Sequence, residues 1–154
     1  MYSSLLLFHS YLRWLAVFSL LFGLLFCWFK KRQNTIFRSR HYQLYQLIVN
    51  VLNVQFLLGI LLLWQSPTVK IFWSQVGEAV KWREVRFFGL EHPFMMILSV
   101  ILLNVFTYKS KAKINTTKGF PYLFTVYLVL FILIFLSVPW AFSPFTARPN
   151  FRMF

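Results

Sequence analysis

Histidine is the side chain most often used to hold a transition metal or a haem iron, and this chain carries three: His9, His41 and His92. His9 and His92 each lie about one helical turn inside the start of a long apolar run, a depth of roughly 6 to 8 Å at 1.5 Å per residue. Ionisable groups at such depth in a membrane are costly and mark functional positions by default. Arg13 follows His9 by four residues, so the two share one helical face one turn apart. Glu91 immediately precedes His92, and Met95 and Met96 follow a turn later. Helical bundles build cofactor sites from facing helices, and two imidazoles clamp one haem iron. In that reading His9 and His92 are the axial ligands, and Arg13 neutralises a propionate or pairs with Glu91. Gly59 then lets the flat macrocycle approach the backbone, and Met95 and Met96 are soft wall residues or, alternatively, an axial ligand. Two other readings use the same residues. Both histidines are interfacial groups bonded to lipid headgroups, with Arg13 snorkelling outward to phosphate, or a smaller metal is held by His9, His92, Glu91 or Met95. Equal depth on two runs that enter from the same side favours haem.

The elements that carry these residues follow from composition. With 59% apolar residues, 12% charged residues, no Asp and three Glu, the chain lacks the polar side chains of a water-exposed surface. Four stretches meet the roughly 20 apolar residues a helix needs to cross the hydrocarbon: 5–29, 42–64, 87–108 and 121–142. The expected fold is an all-α integral membrane protein, one four-helix transmembrane domain over 1–154 with both termini outside. The first stretch is too long for a signal-peptide core and ends in Cys-Trp-Phe-Lys, so it reads as a retained span. The lone Cys27 has no internal disulfide partner and reads as a packing residue.

A net charge of +13 raises nucleic acid as a partner, but the cations sit in short loops beside apolar spans, where orientation signals lie. Lys30, Lys31, Arg32, Arg38, Arg40, Lys109, Lys111, Lys113 and Lys118 are nine of the sixteen basic residues and fall in the two loops expected to face the cytoplasm, beside anionic lipid headgroups. The expected location is a bacterial inner membrane, crossed several times.

Between spans two and three, Val69, Phe72, Trp73, Val76, Val80 and Phe87 recur at roughly helical spacing among polar residues. This segment reads as a helix on the membrane surface or as a contact for a partner subunit, with Gly77 weakening it. The Phe- and Pro-rich tail 143–154 reads as packed on something. His41 starts span two at the cytoplasmic rim and reads as interfacial. Gln46, Asn50 and Asn53 form a polar stripe expected to point into the bundle for interhelical hydrogen bonding, with a substrate path as the rival reading, and Asn104 reads likewise.

No phosphate loop, nucleophile elbow or Cys-rich metal motif is present. Glu91 is the only carboxylate within a span, so a paired-carboxylate mechanism is hard to build, and an electron carrier or subunit fits better than a self-contained enzyme.

The stretches His9-Ser10-Tyr11-Leu12-Arg13-Trp14 and Glu91-His92-Pro93-Phe94-Met95-Met96 resemble small four-span bacterial membrane proteins labelled cytochrome b-like. The resemblance implies one b-type haem held by His9 and His92, Arg13 beside a propionate, and a place in membrane electron transfer with quinol or a periplasmic redox protein. Larger two-haem b-type cytochromes need four such histidines, and one pair exists here. The alternative is a cofactor-free accessory or structural subunit of a larger membrane complex.

Overall fold

Where water is excluded, a segment must bond its own N–H and C=O groups, and the α-helix is how a single segment does so. The computed structural model describes residues 2–140. In chain order its helices are α1 (Tyr2–Arg32), α2 (Ser39–Gln65), α3 (Pro67–Ser74), α4 (Val76–Ala79), α5 (Arg83–Arg86), α6 (His92–Lys109) and α7 (Gly119–Ser137). A π-turn (Phe87–Glu91) joins α5 to α6, and a 3-10 turn (Ser110–Lys113) extends α6. Four helices, α1, α2, the rod Arg83–Lys113 and α7, are long and apolar enough to cross a membrane. The expected tail contact at 143–154 lies outside the described residues.

The long helices form a ring. α1 packs between α2 and α7, and α6 packs between the same two, so α1 and α6 occupy opposite corners and run in the same direction. Leu20, Leu103, Leu123, Tyr45 and Tyr127 fill the centre. Tyr45 donates to the Gly23 carbonyl at 2.9 Å, and Cys27 Sγ lies 2.7 Å from the same hydroxyl in a fully buried contact. Phe8, Phe18, Phe22, Leu57 and Ile101 face outward, as lipid-facing side chains do.

Span four ends earlier than its hydropathy predicts, at Ser137 rather than 142. The cause is Pro139, whose ring disfavours helical backbone in the preceding residue. Val138 is extended accordingly, at φ −78° and ψ 135°. The segment between spans two and three is helical but broken into α3, α4 and α5. Its apolar residues divide: Val69, Phe72 and Phe87 are buried against the rest of the chain, whereas Trp73 and Val76 face outward.

At the basic end the two short loops are joined. Phe37 N–H donates to the Thr116 carbonyl at 2.8 Å, and Asn115 N–H donates to the Phe37 carbonyl at 2.7 Å. Asn34 and Asn115 adopt positive φ of 48° and 63°, which asparagine tolerates better than most residues. The Phe37 ring is fully buried against Phe120, His41 and Tyr45. It rests on Gly119, where a Cβ would collide with it. His41, expected to be interfacial, is buried: its Nδ1 accepts from Arg38 N–H at 3.0 Å and caps α2.

The polar stripe on α2 does not turn inward as a unit. Asn53 does, exchanging hydrogen bonds of 3.2 and 2.9 Å with Asn104 of α6. Gln46 bonds the Tyr42 hydroxyl one turn back at 2.8 Å. Asn50 faces outward, a correction to the expected inward stripe. Offsets of four and three fix these residues within one sector but leave open how that sector sits on the bundle, and its edge falls between Asn50 and Asn53.

Phe37→Ala is expected to lower stability by about 3–5 kcal/mol, the usual cost of emptying a buried aromatic site. Thermal unfolding in detergent should show the loss, with outward-facing Ile101→Ala changing little.

Candidate functional site

The π-turn sets the position of His92. Its backbone N–H reaches back five residues to the Phe87 carbonyl, which widens the turn. Such bulges within helices often accompany functional positions. Gly89 within the turn lies beneath Phe72 of α3, where any Cβ would strike the ring. Arg86 lies six residues before His92 and binds Glu91, with Nε 2.6 Å from Oε1, while Nη1 donates to the Val80 carbonyl at 2.8 Å. The expected pairing of Arg13 with Glu91 is thus corrected: a nearer cation on the same rod takes that carboxylate.

His9 and His92 come together in one cavity of about 200 Å³ between the long helices at the end away from the basic loops. Arg13 and Gly59 line the same cavity; Glu91 and Met95 do not, and Met96 takes the wall position instead. The His9 ring lies over Gly59, where an added Cβ would sit 3.3 Å from its Cε1. Gly59 therefore makes room for the imidazole itself.

Both rings are held on one side. His92 Nδ1 lies 2.8 Å from the Ser137 carbonyl, so it carries the proton and donates. Its Nε2 takes no hydrogen bond among the described residues. Ser137 ends α7, and the usual donor to its carbonyl would come from four residues on; the imidazole supplies one instead. His9 Nε2 faces the Gln55 amide at 3.4 Å, and Gln55 Nε2 donates to the His9 carbonyl at 3.0 Å. Among the described residues, His9 Nδ1 and Gln55 Oε1 are left buried without a hydrogen-bond partner. Buried polar atoms in folded proteins nearly always have partners, and these two lie in the wall of one cavity.

Arg13 is buried at 8% exposure, which rules out snorkelling. Its guanidinium lies 5.9 Å from the Trp14 ring centroid and 5.6 Å from that of Trp140, and cation–π attraction offsets part of its desolvation. The Trp140 indole N–H donates to the Phe135 carbonyl at 2.7 Å. That carbonyl's ordinary helical donor would be residue 139, a proline without an N–H. Among the described residues, no group of three or more His, Cys, Asp or Glu gathers to hold a metal ion.

Sequence reasoning missed Gln55, Ser137 and Trp140. Gln55 carried a signal, as a carboxamide in an apolar run four residues before Gly59. Ser137 contributes through its backbone, which residue type does not reveal, and Trp140 follows a proline that ends the helix.

Gly59→Leu should displace the His9 ring and fill part of the cavity. The resonances of His9, assigned by their loss in His9→Gln, should shift clearly in Gly59→Leu, while those of His41, some thirty residues away at the other end, should not.

Searches against protein families, curated proteins and solved structures return no match for this chain.

Proposed function

We propose that this chain is a membrane electron-transfer protein that holds one b-type haem between His9 and His92, either alone or as the cytochrome subunit of a larger redox assembly. One observation carries the reading: imidazoles from two parallel helices at opposite corners of the bundle line one cavity, each with a ring nitrogen outside any hydrogen bond among the described residues.

Haem, when bound, supplies reversible one-electron exchange. The chain's residues do the rest. The Ser137 carbonyl fixes the tautomer and orientation of His92, as outer-shell carbonyls do for ligating histidines. Gly59 leaves room for the His9 ring. Arg13 sets a positive charge in the cavity wall, suited to an acidic group on the cofactor. Wall volume sets a condition: about 200 Å³ is below the roughly 300–1,000 Å³ of most ligand pockets, so flexible side chains such as Met96 give way on binding. With the basic loops in the cytoplasm of a bacterial cell, the cavity lies toward the outer face, where quinol or a periplasmic redox protein exchanges the electron.

The same small volume favours a second reading, a cofactor-free accessory subunit whose cavity is a packing defect. The two part on one measurement. Protein purified in mild detergent from haem-replete cells should give a reduced-minus-oxidised haem spectrum at one haem per chain, lost in His9→Ala and in His92→Ala while both variants still fold. Folded wild-type protein with no haem absorbance, or a spectrum indifferent to both substitutions, ends the haem reading.

A further inference from the structure

The geometry points to a parallel homodimer in the membrane, formed by α2 against α2 of a second copy, with Asn50 bonded to its own symmetry mate. Among the described Asn, Gln and charged side chains in the interior turns of the four spans, Asn50 is the one turned outward. It makes no hydrogen bond among the described residues. It lies three residues, about 4.5 Å along the axis, from Asn53 at the middle of span two. A carboxamide at that depth facing hydrocarbon leaves two donors and an acceptor unmet, and a polar side chain there is characteristically used between helices.

Its outward neighbours supply the rest of a seam. Leu47, Val54, Leu57, Leu61 and Trp64 are all exposed, and with Asn50 they recur at spacings of three, four, three, four and three. That is a heptad pattern, with Asn50, Leu57 and Trp64 at one core position and Leu47, Val54 and Leu61 at the other. A single asparagine in such a core fixes register and strand number.

Two features select a second copy as the occupant. Copies inserted the same way hold their α2 helices parallel, so a twofold axis normal to the membrane sets Asn50 opposite Asn50 at equal depth. A carboxamide also complements itself, and the Asn53–Asn104 pair within this bundle makes that reciprocal exchange. None of this depends on haem, because the seam lies on the outward face of α2 and the cavity on the inward one.

Full-length protein in phospholipid vesicles tests the dimer. Energy transfer between labelled copies should give a dimerisation constant that Asn50→Leu weakens about 3- to 20-fold, the range set by interhelical hydrogen bonds in membranes. Oxidative cross-linking should capture a product of twice the chain mass for Leu47→Cys, Val54→Cys and Leu57→Cys, but not for Phe18→Cys or Ile101→Cys on other helices. The buried Cys27 does not compete. Tight association unchanged by Asn50→Leu, absence of any dimer, or cross-links at Ile101→Cys rather than along α2 would each overturn the proposal. In cell membranes, a product of some other mass from Leu57→Cys would assign the seam to a different protein and overturn it equally.

Discussion

The way α7 ends constrains the whole cavity end of the bundle. A helix leaves its last carbonyls without donors, and in an apolar setting each needs one from elsewhere. Pro139 sharpens the demand, because it stops the helix and lacks the N–H that the Phe135 carbonyl would have used. Two side chains answer. The Trp140 indole reaches back to Phe135, and the His92 imidazole crosses from α6 to Ser137. The first places an aromatic wall beside Arg13, and the second fixes the ring of His92. Truncation of one helix by proline thus organises groups on three helices.

The opposite end is held by different means. There the chain joins two strongly basic loops, and like charges oppose that closeness. Burial of Phe37 on Gly119 and the two backbone bonds to residues 115 and 116 work against the repulsion. Several cations lie over aromatic rings, with Lys31 4.7 Å from Phe124 and Arg32 4.5 Å from Trp28. The long stems of these side chains cover apolar surface while their charges reach the rim.

The four spans were legible because hydropathy over 20 residues is a strong signal, and the shared level of His9 and His92 followed from counting residues. Interhelical bonding by Asn53 and Asn104 was legible for a similar reason, since a carboxamide in hydrocarbon seeks another. What sequence did not disclose is instructive. The outward turn of Asn50 depends on how α2 rotates against its neighbours, which relative spacing does not fix. Glu91 was one of two partners expected for Arg13 across the bundle, although Arg86 stands five residues away on its own rod. The carbonyl that holds His92 belongs to a backbone, and every residue type has one. Phe37 lay hidden in a loop read only for its charge.

The Phe37 contact also has a bearing on how the chain assembles. Residue 37 follows the first crossing, whereas its seat at Gly119 and Phe120 is made only when the fourth begins. The N-terminal hairpin alone therefore cannot seat its aromatic plug. Only with the second hairpin in place can the two basic loops close over one another, so this seal ties the two halves of the chain together.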